Sequence, residues 1–205
     1  MPRPRFQKLD DERRDNMMEA AAKVFAKEGY QGASINQILQ NAGLSKGVAY
    51  YYFEDKADLF ATTVEFYLGQ IDTSIISRID ELNAENFWKM LLELYSQPFL
   101  QNIDTPYRFR VLKVATQIPA DDPLMERIAP LMQMAFGWTS DLISKGQEFG
   151  LVRDDLPEEL LSGFITGIDT VSDDYILERL ETMSHEDILQ TLSYTVDAIK
   201  RLLSP

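Results

Sequence analysis

The stretch GLSKGVAYYYF, residues 43–53, decides how the rest of the chain is read. It packs a Gly-Leu-Ser turn, a lone lysine and three consecutive tyrosines into one short segment. A buried helix does not take three phenolic hydroxyls in a row, because each one removed from water needs a partner. One side of this segment therefore faces something polar. Before it, SINQILQ is expected to form a short helix, with Ser34 capping its free N–H groups and Ile35, Ile38 and Leu39 turned inward. Gly43 ends that helix, and Ser45 is expected to cap a third one running to about Tyr51.

Two short helices joined by AGLS make a helix-turn-helix: the glycine lets the chain turn sharply, and the second helix is presented outward at a steep angle to the first. Such a helix can enter a DNA major groove end-on, with its first N–H groups near a phosphate and its first side chains near base edges. In that position Lys46 supplies charge, Gly47 lets the backbone approach closely, and the tyrosine hydroxyls donate to phosphate oxygens. At least one tyrosine, with Phe53, is expected to pack back on the first helix. The same shape also serves as plain scaffold in all-α proteins, and geometry alone leaves both uses open.

Outward from this stretch the chain reads as helix throughout. Upstream, a helix is expected from about Asp11 to Glu28, with Met18, Ala21, Ala22 and Phe25 on one face and Gly29 as its stop. Downstream, FEDKADLF opens a long helix to about Glu81 with Asp55 at its N-terminus. Further helices are expected over 84–100, 105–117, 121–149, 157–181 and 184–203, with Pro98, Pro106, Pro119 and Pro123 marking early boundaries. Pro130 falls inside a helical pattern and predicts a kink or break near Ala129. Apolar residues recur three or four apart, and no strand-like alternation appears, so the fold class is all-α. Three segments follow: a basic arm over 1–10, a three-helix DNA-binding domain over 11–56 and a larger helical domain over 57–205.

Charge divides the chain the same way. The net charge is −13, yet residues 1–60 hold nine basic and nine acidic side chains, so the excess lies wholly beyond residue 60. The first eight residues carry Arg3, Arg5 and Lys8 with no acid; they make either a solvated terminus or an arm for phosphates. With no cysteine and one histidine, His185, the chain has no thiolate site and little means to bind a metal or run a triad. Neither a glycine-rich phosphate loop nor a nucleophile elbow appears, so no cofactor and no enzymatic activity are expected. His185 stands in SHED, where Ser184 and Asp187 make a helix start, and is read as a solvated first-turn residue. No run is long and apolar enough for a membrane span, and MPRPRFQKLDDERRD lacks the apolar stretch of a signal peptide. A cytoplasmic location is expected.

Residues 20–60 closely resemble the DNA-binding domain of the TetR (tetracycline-repressor-like) family of transcriptional regulators. The resemblance rests on Phe25 and Gly29, on Ser34, Ile35 and Ile38, on Ala42-Gly43-Leu44-Ser45 with Gly47, and on Tyr50, Phe53, Lys56 and Leu59. It implies a homodimer that binds a near-palindromic double-stranded operator, more often a repressor than an activator, and leaves it when a small-molecule effector enters the C-terminal domain. By position it also implies backbone-phosphate contacts for Ser34 and Lys56, groove contacts for Lys46 and Gly47, and phosphate anchoring for Tyr50 and Tyr52. Lys46 is the one basic residue of the recognition helix, which gives Arg3 and Arg5 added weight.

The last two helices carry wide apolar stripes that either close the domain's own core or form a dimer interface. The interface reading is favoured, because Gly163 and Gly167 cost a helix about 1 kcal/mol each unless close helix approach returns it. Its candidates are Gly163, Phe164, Gly167, Val171, Leu192, Val196 and Ile199. The middle helices are rich in large adaptable side chains, read as core or as the lining of a cavity for an aromatic or lipophilic effector. The lining candidates are Trp88, Tyr95, Phe99, Met132 and Phe136. Asp169 interrupts an apolar stripe; it sits at the stripe's edge, meets a partner, or receives a cationic or hydroxylated ligand. The competing reading of the whole is a helical ligand-binding or protein-interaction protein that does not bind DNA.

Overall fold

The structure, a computed structural model, describes residue 6 and residues 8–45, 51–70 and 78–205; the side chains at 98 and 134–136 also lie outside it. Among the described residues there is helix and no strand. The chain divides into two compact units, Met1–Ile71 with Tyr107–Ala135, and Asp72–Pro106 with Phe136–Pro205.

The first unit is built on α1 (Asp11–Gly32), α2 (Ile35–Asn41) and α3 (Lys56–Leu68). Asp10 caps α1 by accepting the Arg13 N–H at 3.0 Å. Three consecutive alanines, Ala20 to Ala22, let other helices approach α1 closely, and Phe25 meets Phe60 of α3 edge-on with ring centroids 4.8 Å apart. Gly29 stops the regular helix at φ 67°, as its position predicts, and the chain turns on to Gly32. Asp55 caps α3 through the Asp58 N–H. Inside α3, Thr62 and Thr63 donate their buried hydroxyls to the carbonyls of Asp58 and Leu59, so neither polar group is stranded.

Most of α5 (Pro106–Thr116) and α6 (Met125–Phe136) belong to the same unit, where Val111, Leu112, Ala115, Leu124 and Ile128 join the core formed by α1 to α3. The unit defined by packing is therefore larger than the 11–56 segment that carries the helix-turn-helix.

The second unit holds α4 (Phe87–Gln101), α7 (Trp138–Glu148), α8 (Glu158–Arg179), α9 (His185–Leu203) and a 3₁₀ turn over Arg78–Glu81. Its core gathers Phe87, Leu91, Leu142, Ile143, Leu161, Ile199 and Leu203. Gly146 has no room for a side chain, since an added Cβ would lie 2.4 Å from Val152 Cγ2 and 2.8 Å from Phe87 Cζ. Ser184 and Asp187 form a reciprocal capping box at the start of α9, as SHED predicts. Their hydrogen bonds hold the Asp187 carboxyl below its ordinary value.

Three expectations are corrected. The helix begun at Asp55 ends at Leu68, where Gly69 takes over as its cap; it does not run to Glu81, which closes the separate 3₁₀ turn. The expected helix over 121–149 is two helices, and the interruption falls at Gly137. Pro130 lies inside α6 without breaking it: the residue is exposed, so the Glu126 carbonyl that loses a donor can meet water. Pro98 likewise sits within α4 and does not bound it. None of the described helices is long and apolar enough to cross a membrane.

Candidate DNA-binding surface

The turn after α2 is set by hydrogen bonds that only a left-handed residue permits. Leu44 N–H reaches the Leu39 carbonyl at 2.8 Å and Gly43 N–H reaches the Gln40 carbonyl at 3.1 Å, the Schellman pattern, with Gly43 at φ 68°. Asn16 of α1 donates its amide to the Ala42 carbonyl at 3.2 Å and so ties the turn to the first helix. Ile38 and Leu39 fill the core beneath, which turns Asn36, Gln37, Gln40 and Asn41 outward. The outer face of α2 is thus a row of amides, groups that both donate and accept.

Of the candidate contact residues, Lys46, Gly47, Tyr50, Arg3 and Arg5 lie outside the described residues. Ser34 and Ser45 are exposed on either side of α2; Ser34 occupies the cap position, yet its hydroxyl makes no cap hydrogen bond. Tyr51 and Tyr52 are helical, Tyr51 exposed and Tyr52 half-buried, its ring edge-on to Phe6 at 6.2 Å. Phe53 is buried against the same Phe6 ring, which precedes α1 rather than belonging to it.

Lys56 is the first residue of α3 and reaches back to the segment just before Ser34. Its Nζ donates to the carbonyls of Gln31 at 3.0 Å and Ala33 at 3.3 Å and stands 4.8 Å from the centre of the Tyr30 ring. Two of its three N–H bonds serve the protein, which leaves one for a phosphate. Burial raises the Tyr30 phenol above its ordinary value, Asp122 and Asp55 raise it further, and Arg127 opposes them.

Sequence reading missed Asn16, the amide row and Arg127. The amides carried a signal, since they occupy the polar positions of SINQILQ, but polarity alone did not separate them from an ordinary solvated face. Arg127 carried none, because its partner Asp55 is 72 residues away.

In the second unit, Trp88 and Tyr95 share the lining of one cavity with Phe87, Leu91 and Trp138. Its volume is about 10 Å³, space for a water at most. Burial raises the Tyr95 phenol well above its ordinary value, with the half-buried Asp169 and Asp173 adding to it. Phe99 is buried elsewhere in that unit, whereas Met132 packs against the core of the first unit; the Phe136 side chain is not among those described. The candidate lining is therefore not one set.

The candidate interface also splits. On α8, Gly163, Phe164, Gly167 and Val171 are exposed, Val171 by 70%, along with Leu160 and Tyr175. On α9, Leu192, Val196 and Ile199 are buried inside the protomer, contrary to expectation, because α4 and α8 cover that stripe. The apolar side chains that α9 leaves exposed are Leu189, Tyr194 and Leu202.

A short helix with an outward amide row and a Schellman turn tied by Asn16 to the preceding helix are the described parts of a helix-turn-helix. Residues 17–63 match the family model for bacterial regulatory proteins of the tetR family. Over that segment the chain is similar to the TetR family. It is 25% identical over 196 residues to the HTH-type transcriptional repressor AcnR of Corynebacterium diphtheriae, covering 86% of this chain and 91% of that protein. In fold it is similar to a TetR family transcriptional regulator from Chloroflexus aurantiacus, with a TM-score of 0.69 and 18% identity over 100% of this chain and 99% of that one. It is similar too to the transcriptional regulator FadR from Bacillus subtilis, solved in complex with stearoyl-CoA, with a TM-score of 0.70 and 18% identity over 90% and 96% of the two chains.

Proposed function

We propose that this chain is a cytoplasmic, homodimeric repressor that reads a near-palindromic DNA operator and releases it when a small molecule binds. The observation that carries this reading is the turn at Gly43: it is held by its own backbone hydrogen bonds and by Asn16, beside the exposed amides of α2. In this reading residues 11–56 read DNA, with Ser34, Ser45, Tyr52 and the remaining N–H of Lys56 on phosphates. Lys46, Gly47 and Tyr50 enter the groove, and Arg3 and Arg5 add charge from the arm. Residues 57–205 bind effector and dimerise.

The exposed apolar side chains of α8 receive the same helix of a second copy, which is how Gly163 and Gly167 come to be useful. AcnR is named a repressor, and repression is the sign proposed here. The effector belongs beside Trp88 and Tyr95, where large apolar rings adjoin the Asp169 carboxylate. Because the space there is closed, an effector enters only if these side chains repack. The energy of doing so differs between operator-bound and free states, which is what a ligand needs to shift a population.

Selection of bound duplexes from a random DNA pool tests the reading, run beside Lys46→Ala and Tyr50→Ala. The expected result is an inverted repeat with half-sites about 34–36 Å apart that both variants lose, with affinity falling steeply as salt rises. No enrichment at low salt would leave the helix-turn-helix as scaffold.

A further inference from the structure

Asp55 and Lys56 join the recognition segment to α3, and the two are held from opposite directions. On one side Lys56 is bonded to the carbonyls of Gln31 and Ala33, immediately before α2. On the other, the Arg127 guanidinium of α6 grips both carboxylate oxygens of Asp55, from NH1 at 3.2 Å and from NH2 at 3.4 Å. The same guanidinium lies 3.9 Å from the carboxylate of Asp58, which is fully buried. Asp55 caps α3 by accepting the Asp58 N–H at 2.6 Å, and the Asp58 side chain accepts the N–H of Glu54, just before the cap, at 3.1 Å.

Two carboxylates one helical turn apart repel, and one of them has no access to water. Arg127 sets its guanidinium against both carboxylates while each keeps its bond to the backbone. Without it the Glu54 and Asp58 N–H groups lose their best acceptors, and the link that follows the buried Phe53 loosens. Arg127 itself is fixed by its helix: Leu124 and Ile128 on either side of it are buried in the core shared with α1 to α3. The position of α6 is therefore written into the start of α3, and through Lys56 into the start of α2.

We infer that Arg127 is a positioning residue for operator binding, acting through Asp55 and Asp58 although it stands far from the helix-turn-helix in sequence. The inference rests on the DNA-binding reading above. It assigns a role in DNA recognition to a side chain on α6, outside the segment of residues 17–63 that matches the family.

The test is operator affinity of the full-length chain, on the duplex selected by the wild type, for Arg127→Met, Arg127→Lys, Asp55→Asn and the Arg127→Met, Asp55→Asn double variant. Thermal midpoints are measured in parallel. Asparagine caps a helix about as well as aspartate, so Asp55→Asn removes the charge and keeps the cap. The expected result is a loss of about tenfold in affinity for Arg127→Met and for Asp55→Asn, with the double variant no worse than either single one. Arg127→Lys should recover part of the loss, which a purely structural role for the arginine's shape would not allow. Wild-type affinity in Arg127→Met overturns the inference, as do losses that add in full in the double variant. If Arg127→Met does not fold, Asp55→Asn alone decides: undiminished affinity overturns the inference, and a tenfold loss supports it. A wild-type chain that selects no duplex sinks both readings, whereas one that binds tightly and ignores Arg127 sinks this one alone.

Discussion

Two helices of this chain each leave a face uncovered, and the faces could hardly differ more. That of α2 is a row of amides and a hydroxyl; that of α8 is Leu160, Phe164, Val171 and Tyr175 interrupted by two glycines. An amide row is content in water and can exchange that water for phosphates and base edges with little loss. An apolar row is not content in water, and in the dimer proposed above a second copy takes it out of water. The comparison teaches that exposure alone does not identify a site. The chemistry left exposed does.

The sharpest way to break the contrast is to charge the apolar face. Val171→Asp should weaken self-association about 100-fold or more, since a carboxylate buried between two copies has no partner; sedimentation at micromolar concentration reads it. An unchanged dimer would mean that α8 is not the contact. On the polar face, Gln37→Glu sets a negative charge toward DNA and should lower affinity for any duplex about tenfold, with the thermal midpoint unmoved. If affinity holds, the amide row faces only water.

A smaller effect is expected where the α2 face is aimed. Gly43→Ala meets no atom within 4 Å, so its cost is the left-handed backbone alone, about 1 kcal/mol. Chemical denaturation would show it, and a neutral result would mean that the turn can adopt another shape. The smallest effect belongs to α9. Ser184→Ala should lower the thermal midpoint by about 2 °C near neutral pH. Ser184 depresses the Asp187 carboxyl, so its contribution is present above the ordinary aspartate value and fades as pH falls through the lower, folded one. A deficit that persisted unchanged into strong acid would assign the stabilisation to something other than this carboxylate.

Much of this architecture was legible because it is local. Gly43 declared its turn, SHED its capping box, and the spacing of Met18, Ala21, Ala22 and Phe25 its buried face. What escaped was decided at long range. Leu192, Val196 and Ile199 make as good an interface stripe as Phe164 and Val171 do, and nothing in their spacing says that α4 already covers them. Trp88 and Met132 look alike as lining candidates, yet they belong to different units. The end of α3 at Leu68 was hidden because helical periodicity continues past it.

The buried hydroxyls of Ser172 and Thr195 hydrogen-bond to one another between α8 and α9. Each sits on the covered side of its helix, and Thr195 also donates to the Thr191 carbonyl at 3.0 Å. Their meeting works like a single tooth in a gear. Sliding one helix past the other by a residue would disengage it and take this partner from the buried Ser172 hydroxyl. Ser172 also follows Val171 directly, so the tooth and the exposed apolar face share a helix. Whatever docks on that face finds α8 already meshed with α9, and a push on one is delivered to both.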